Sequence, residues 1–216
     1  LGVHLGLMAV VSSKSELASV LGHELSHVTQ RHIARLMTKN SQQAPWVIGA
    51  MILGALAASK NAEAGNALIV GGQALSAQSQ LNFSRDMERE ADRVGFGVMT
   101  QAGFEAGGFV SMFEKLQQAS RLNDSGAYPY LRSHPLTTER IADMQSRLPL
   151  GVATNPPAAL TPSHAMLAAR ARVLSNSGAD ALRGWQAQAE GLLAESGSAA
   201  LQAGVLYGAA MAAGRM

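Results

Sequence analysis

The sequence predicts a mainly α-helical fold of the α+β class, with a small sheet, followed by a helical repeat segment. Three observations predict it. Apolar residues recur every three or four positions over long stretches, residues 1–11 are apolar and partly β-branched, and prolines cluster near residue 150. With 216 residues, 47% of them hydrophobic and 15% charged, the chain can bury one sizeable domain and a small second one.

The composition narrows the classes of function. Lys and Arg total 17 against 15 Asp and Glu, and no basic run is interleaved with aromatic residues, so nucleic-acid binding is not supported. The chain has no cysteine, so a metal site must use His and carboxylate ligands. Leu1 and Met216 look like interior positions of a longer protein. We therefore expect a fragment cut at both ends, from which a targeting segment could have been lost.

The segment His23-Glu24-Leu25-Ser26-His27 lies inside a long helical pattern. Residues four apart share one helix face, so His23 and His27 can offer two ring nitrogens to a single Zn²⁺ at about 2.0–2.1 Å. Glu24 lies beside the same metal, where it can take a proton from the metal's water. This spacing also arises by chance in long helices, so a zinc site requires a third ligand elsewhere in the chain.

The third ligand is predicted in a second helical pattern, which begins at Ser84 and ends at Gly103. Glu88 and Asp92 are four apart and share the face that carries the apolar residues, whereas Glu90 points away from both. We assign Glu88 as the third ligand and Asp92 as the acceptor that orients a ligand histidine through its other ring nitrogen. The alternative is a solvated helix face with Glu–Arg pairs.

Most of the chain between these motifs is predicted to be helical. Ser13 and Glu16 form a plausible capping box for the HExxH helix. Residues 44–58 are the most apolar stretch but are too short for a membrane span, so we expect a helical hairpin that is either buried or in contact with a membrane. Residues 62–80 fit a close-packed helix or an ordered loop. Further helices are expected at 104–122, with a core of Phe109, Met112, Phe113 and Leu116, and at 138–148.

The C-terminal third is predicted to be a separate helical segment. Four of the seven prolines fall within residues 149–162, which predicts a linker. Three helical runs follow, at 166–174, 181–194 and 199–213. Small residues at close helical spacing around Gly208 resemble the start of a tetratricopeptide repeat. Since one repeat cannot bury its own face, more repeats are expected beyond Met216.

Three motifs in this order resemble those of the HtpX and CAAX-prenyl-protease family of zinc metallopeptidases. They are the HExxH segment, Glu88-Arg89-Glu90-Ala91-Asp92, and Ser133-His134-Pro135-Leu136 followed by Arg140-Ile141-Ala142-Asp143. The third motif narrows the resemblance to the soluble periplasmic, BepA-like branch. The resemblance implies a zincin-like metallopeptidase domain over residues 1–148, whose N-terminal part is missing. A linker at 149–162 and truncated tetratricopeptide-like repeats at 163–216 would follow.

The resemblance also implies what the site residues do. His23, His27 and Glu88 match the ligands of one Zn²⁺ per chain, and Glu24 matches the catalytic base. It further implies a periplasmic location, polypeptide substrates among unfolded or misassembled envelope proteins, and contact with outer-membrane assembly machinery through the repeats. Relatives in the HtpX branch are embedded in membranes, which implies peripheral membrane contact as a further possibility.

His134 is placed in the site by the resemblance. It could fill the fourth zinc position and leave the enzyme latent, which we favour, or it could hydrogen-bond the oxyanion during turnover. Arg140 could steady the His134 loop or the tetrahedral intermediate, and the alternative is an ordinary surface arginine. His32 lies about 140° around a continuous helix from His27 and is not expected to share the metal, so we treat it as structural or exposed.

The leading interpretation is a zinc endopeptidase in which Glu24 accepts a proton from the attacking water and delivers it to the leaving amine. We expect an extended polypeptide substrate, paired to an edge strand at residues 1–5. One alternative is a chaperone or assembly factor that holds clients with the repeats. A second alternative is a structural zinc site with His134 as a permanent fourth ligand.

Overall fold

The computed structural model describes residues 2–122, 130, 133–151, 161–192 and 198–216. Within these ranges the regular structure is helical and no strand occurs. The helices are α1 (Leu5–Val10), α2 (Lys14–Thr29), α3 (His32–Ala58), α4 (Ala62–Gln101), α5 (Gly107–Leu122), α6 (Thr138–Ser146), α7 (Pro162–Ser175), α8 (Ala179–Leu192) and α9 (Ala199–Ala213).

The chain divides into two compact units. The first unit comprises Leu1–Leu21 with Phe96–Met216, and the second comprises Gly22–Gly95. The predicted division at residues 149–162 stays a prediction, because residues 152–160 lie outside the described ranges. The core of the first unit contains all four apolar residues predicted on α5, which confirms that prediction. Its buried members are Val11, Ala18, Val20, Met99, Phe109, Val110, Met112, Phe113, Leu116, Ile141 and Met144.

The strand predicted near the N-terminus is wrong, because Leu5–Val10 form helix α1. His4 caps this helix, its Nδ1 accepting a hydrogen bond from the Gly6 N–H at 3.1 Å. The residues of α1 are mainly Leu, Met and Ala, which favour a helix, and a short apolar run fits either structure by its pattern alone. The expected edge strand at residues 1–5 is therefore not formed within the described part of the chain.

The predicted start of the second motif's helix at Ser84 is also wrong. Helix α4 begins at Ala62, and the Asn61 Oδ1 accepts hydrogen bonds from the N–H groups of Glu63 and Ala64 at 3.0 and 3.1 Å. No proline lies between Ala62 and Ser84, and the helix continues through Gly71, Gly72 and Ser84. The helical interpretation of residues 62–80 is thus confirmed. The predicted end is confirmed as well, since Gly103 has φ 85° just beyond Gln101.

The helical hairpin predicted within residues 44–58 is wrong in its bounds, because these residues form one continuous part of α3, and a hairpin is formed instead by α3 and the first half of α4. Gly54 and Gly65 let the two backbones approach closely, since a Cβ on Gly65 would lie 2.5 Å from the Gly54 carbonyl oxygen. Large apolar side chains nevertheless face solvent, with Trp46 81% and Leu53 61% exposed. The buried alternative for this hairpin is therefore wrong. Among the described residues, no helix has the length and apolar character needed to cross a membrane.

A buried carboxylate secures the N-terminus of α2 in the first unit. Glu16 accepts hydrogen bonds from the Ser12 N–H at 2.6 Å, the Ser111 hydroxyl at 2.5 Å and the Lys115 ammonium at 2.6 Å. The predicted capping box is confirmed in its first half, because the Ser13 Oγ accepts from the Glu16 N–H at 3.1 Å. Burial alone would raise the pKa of Glu16, but these hydrogen bonds and the charge of Lys115 outweigh it and lower that pKa below its ordinary value.

The three C-terminal helical runs are confirmed as α7, α8 and α9. They pack through small side chains, and a Cβ on Gly204 would lie 2.9 Å from the Ala165 Cβ. The His164 Nε2 lies 2.8 Å from the Val11 carbonyl oxygen, so α7 is tied to the end of α1. Pro162, predicted to close the linker, is instead the first residue of α7, where its missing N–H costs nothing. The assignment of α7, α8 and α9 as tetratricopeptide repeats stays a prediction.

Candidate metal centre

The three predicted ligands meet inside the second unit, where they form part of a group that could hold a metal ion. Helix α2 provides His23 and His27, and α4 provides Glu88. The two Nε2 atoms lie 3.0 Å apart. The Glu88 carboxylate oxygens lie 3.4 Å from the His23 Nε2 and 3.3 Å from the His27 Nε2. The Glu88 Oε2 is the oxygen near His23 and the Oε1 is the oxygen near His27, so the carboxylate faces both ring nitrogens.

The spacing of these atoms fits a tetrahedral ion. Ligand atoms bound at about 2.0–2.1 Å and tetrahedral angles lie roughly 3.3–3.4 Å from one another. The two Nε2 atoms are 3.0 Å apart, and each lies 3.3 or 3.4 Å from one of the two Glu88 oxygens, which is close to that edge length. Two imidazoles and one carboxylate form a donor set that leaves a further position for water or substrate. These residues therefore could bind a divalent metal ion with little rearrangement.

Asp92, one turn after Glu88, contacts His23, the first of the predicted ligands. The Asp92 Oδ1 lies 2.8 Å from the His23 Nδ1, and both side chains are buried. Burial alone would lower the pKa of His23, but the hydrogen bonds and charges of Asp92 and Glu88 raise it to about 9. The two buried carboxylates thus favour positive charge at this point, whether it is carried by a proton or by a metal ion.

Two glycines bring the ligand helices together. A Cβ on Gly95 would lie 2.8 Å from the Gly22 carbonyl carbon and 2.8 Å from the His23 nitrogen, so α2 and α4 are in backbone contact here. Asp92 and Glu88 precede Gly95 by three and seven residues and share its helix face. The contact therefore turns both carboxylates towards α2. The sequence signal for this contact is a glycine seven residues after Glu88.

Glu24, the predicted base, follows His23 on α2 and is half-buried. Its position beside the metal and its part in proton transfer stay predictions.

His32 is a component of the site that sequence reasoning missed. Its ring is buried, with the Nδ1 2.8 Å from the His27 Nδ1 and the Nε2 3.4 Å from a Glu90 carboxylate oxygen. The same Glu90 oxygen accepts a hydrogen bond from the Arg35 guanidinium at 2.7 Å, which lowers the pKa of Glu90. Burial and the neighbouring His27 lower the pKa of His32 and so favour its neutral form.

The sequence did not predict that His32 belongs to the site, because the helix breaks between α2 and α3. On a continuous helix, His32 would lie about 140° around the axis from His27. Helix α2 instead ends at Thr29, and Arg31 has φ 55° and ψ 40°, a left-handed backbone conformation that is uncommon outside glycine. His32 then starts a new helix with its ring facing back to His27. No glycine or proline occurs at this break, so the sequence carried no signal for it.

His134 and Arg140 belong to the first unit. The His134 ring stacks on Tyr130 with centroids 4.7 Å apart, and the His134 backbone N–H donates to the Tyr130 carbonyl oxygen at 2.9 Å. Arg140 is only 4% exposed, donates to the Pro135 carbonyl oxygen at 2.7 Å and lies over the Phe113 ring. The surface-arginine alternative is therefore wrong, and Arg140 fastens the residue that follows His134. Their roles in catalysis stay predictions.

Comparisons with known proteins show the family to which the chain belongs. The model of Peptidase family M48 matches residues 1–148. A protein of Vibrio cholerae serotype O1, provisionally named a beta-barrel assembly-enhancing protease, is 38% identical over 212 residues, which cover 97% of this chain and 42% of that protein. The beta-barrel assembly-enhancing protease of Escherichia coli is 37% identical over 149 residues, or 67% of this chain and 30% of that protein.

A more distant relative is the mitochondrial metalloendopeptidase OMA1 of Arabidopsis thaliana, 31% identical over 138 residues, which cover 64% of this chain and 25% of that protein. The chain therefore spans less than half the length of these curated relatives. The family match extends over more than half of the chain and includes every residue of the three motifs. The chain belongs to peptidase family M48.

Proposed function

We propose that this protein is a zinc-dependent metalloendopeptidase that cleaves unfolded or misassembled envelope proteins. The observation that carries the proposal is the convergence of His23, His27 and Glu88 at separations of 3.0 to 3.4 Å. These residues would hold one Zn²⁺ per chain, because their donor atoms and spacing match a catalytic zinc site. Membership of a metallopeptidase family supports the same reaction.

The chain's own residues divide the chemistry among them. When bound, a zinc ion polarises a water molecule and lowers its pKa towards about 7. Glu24 would accept a proton from the attacking water and pass it to the leaving amine. Asp92 would accept a hydrogen bond from the His23 Nδ1, which would leave the His23 Nε2 available to hold the metal.

His134 is proposed to control turnover, and one substitution separates its two possible roles. If His134 caps the metal at rest, His134→Ala opens a position for water and raises the rate of casein digestion. If it donates a hydrogen bond to the oxyanion, the same change lowers the rate by about 10²–10³-fold. We favour the cap, since Tyr130 and Arg140 hold the neighbouring backbone in place. An unchanged rate would contradict both roles.

The cellular role is proposed from the relatives. Two of them are named beta-barrel assembly-enhancing proteases, and we infer that this protein likewise acts in the periplasm on outer-membrane assembly. Helices α7 to α9 would serve as the start of a tetratricopeptide segment that contacts the assembly machinery. Within the family, we assign the chain to the HtpX and CAAX-prenyl-protease group on its three motifs.

The α3–α4 hairpin is proposed to touch the membrane surface. Residues 40–84 carry charged side chains only at Lys60 and Glu63, and several of their large apolar side chains are exposed. Three cations, Arg31, Arg35 and Lys39, lie where this uncharged stretch begins, beside Trp46. A tryptophan next to basic residues is typical of segments that lie at a lipid interface.

Zinc content and casein digestion together test the proposed activity. We expect the wild type and Glu24→Gln to bind zinc equally, because Glu24 is not a ligand. Digestion is expected in the His134→Ala background and is abolished when Glu24→Gln is added to it. A protein without zinc would refute the metal site. If no variant cleaves casein and Glu24→Gln still protects client proteins, the alternative function as a chaperone or assembly factor would be favoured.

A further inference from the structure

We propose that His32 is a positioning residue for the zinc ligand His27, and that Glu90 supports His32. The inference rests on the zinc centre proposed above and extends it to a side of the site that no motif marks. It assigns the two ligand histidines of α2 an orienting partner each, Asp92 for His23 and His32 for His27.

The first step is the direction of the two ring nitrogens of His27. Its Nε2 faces the shared point, 3.0 Å from the His23 Nε2 and 3.3 Å from the Glu88 Oε1. Its Nδ1 faces the opposite way and lies 2.8 Å from the His32 Nδ1. An imidazole that binds a metal through one nitrogen carries its hydrogen on the other, so the His27 Nδ1 is the donor of this hydrogen bond.

The second step follows from the first. If His27 donates, the His32 Nδ1 must accept, and the hydrogen of neutral His32 is then on its Nε2. That atom is buried and lies 3.4 Å from the Glu90 Oε2. The contact is too long for a good hydrogen bond, but the carboxylate still favours the tautomer with hydrogen on Nε2. Arg35 holds the same carboxylate oxygen at 2.7 Å and fixes its position.

Simple packing of a histidine at a helix start does not account for this arrangement. The ring is 2% exposed and its Nδ1 is within hydrogen-bond distance of a ligand ring, which requires one defined pair of tautomers. The backbone also adopts a left-handed conformation at Arg31, immediately before His32. Such strain at a non-glycine residue is retained where the surrounding structure requires it, and here it directs His32 towards His27.

The two orienting contacts are unequal. Asp92 is a charged acceptor in direct contact with its histidine, whereas His32 is a neutral acceptor. Charge-assisted hydrogen bonds are stronger than neutral ones, so Asp92 should contribute more to zinc affinity than His32. Glu90 acts only through His32 at a longer distance and should contribute least.

The test is the zinc dissociation constant, measured by competition with a chelator in the folded full chain. Loss of an orienting contact typically weakens metal binding about 10–100-fold. We expect His32→Leu to fall near the low end of that range. His32→Asn, whose side-chain oxygen can accept from the His27 Nδ1, should recover most of the loss. Glu90→Gln should cause a loss of only a few-fold.

The matched control for Glu90→Gln is Asp86→Asn, which removes a carboxylate charge from α4 at an exposed position paired with Arg89. It should leave zinc affinity unchanged. Equal affinities of His32→Leu and wild type, with zinc binding still lost in Glu88→Ala, would overturn this inference and leave the zinc centre standing. Equal losses in the Leu and Asn variants would also overturn it, because they would indicate a packing defect.

Two further outcomes are decisive. If circular dichroism shows that His32→Leu is unfolded, the zinc affinities of His32→Asn and Glu90→Ala provide the test instead. The proposed hydrogen-bond chain would be overturned by two results together. Glu90→Ala would bind zinc as tightly as the wild type, and His32→Asn would lose as much zinc affinity as Asp92→Ala. A wild type that binds no zinc would refute the proposed function itself, and the inference with it.

Discussion

Helix α4 contacts α2 near its C-terminal end through Gly95 and Gly22, and it contacts α3 near its N-terminal end through Gly65 and Gly54. In both places a missing side chain lets two helix backbones approach closely. Around Gly95 the neighbouring side chains are charged and buried, namely Glu88, Asp92 and His23. Around Gly65 the neighbouring outer side chains are apolar and exposed, among them Leu53, Leu56 and Leu68.

This comparison shows that close helix packing does not by itself mark a functional site. Each end of α4 is marked instead by an unusual distribution of side chains, because charged groups are normally exposed and apolar groups are normally buried. Buried charges are costly unless a metal ion or a partner satisfies them, which indicates a ligand near Gly95. Exposed apolar side chains in one continuous region indicate a surface that meets lipid or protein near Gly65.

The largest effect is expected at the ligand from α4. Glu88→Ala should remove most of the bound zinc and with it the peptidase activity, because two histidines alone leave the ion underligated. Glu63→Ala, an exposed carboxylate on the same helix, is the control and should bind zinc like the wild type. Chelator competition measures both. Equal binding by the two variants would show that the buried charges near Gly95 do not serve a metal.

The next largest effect is expected at the helix contact itself. Gly95→Ala places a Cβ 2.8 Å from the backbone of α2, so we expect a loss of about 1–3 kcal/mol in unfolding free energy and weaker zinc binding. Gly97→Ala is the matched control, since nothing lies within 4 Å of its Cβ. That change should stabilise the helix by about 0.5–1 kcal/mol. Urea unfolding checks both, and a Gly95→Ala protein as stable as the control would refute the tight contact.

Glu16 is a buried carboxylate whose hydrogen-bond partners are all protein groups, and it can be compared with the buried carboxylates near Gly95. Glu16→Gln should lower the unfolding free energy by about 1.5–3 kcal/mol, since its charged hydrogen bonds with Lys115 and Ser111 are lost or weakened. The pKa of Glu16 is lowered by folding, so its contribution is fully present above the ordinary pKa near 4.5 and is lost as pH falls through the lower folded value.

Unfolding in urea between pH 7 and pH 3 checks this dependence. The difference between wild type and Glu16→Gln should be constant at the upper end and should shrink towards the lower end. Adding a chelator should leave that difference unchanged, because Glu16 depends on protein partners alone. A difference that instead grows on acidification would contradict the lowered pKa.

The smallest effect on stability is expected at the exposed end of the hairpin. Leu53→Ser should change the unfolding free energy by no more than about 0.5 kcal/mol, because the side chain is 61% exposed. It should nevertheless reduce sedimentation with vesicles of phosphatidylethanolamine and phosphatidylglycerol. Leu206→Ser, at an exposed position on α9, is the control. If the control reduces sedimentation as much, the hairpin is not the membrane-contacting surface.

The sequence predicted what depends on spacing within one helix. His23 with His27, and Glu88 with Asp92, share faces because the helical repeat fixes where residues four apart point. The buried residues of α5 were predicted for the same reason. The strand at residues 1–11 was wrong because a run of six helical residues is too short for its pattern to distinguish helix from strand. The helix start at Ser84 was wrong because a good capping residue caps only where the preceding chain is not helical.

By itself, then, the sequence determined which residues are candidate ligands and which helix faces they share, since these faces depend on local geometry that any α-helix repeats. Tertiary structure decided which faces meet, through the backbone contact of Gly22 with Gly95. It also decided that His32 faces His27, through a left-handed residue at Arg31 that no turn-forming residue announces. Contacts between helices distant in sequence depend on packing over the whole unit, and the periodicity of one helix contains no information about the helix it will touch.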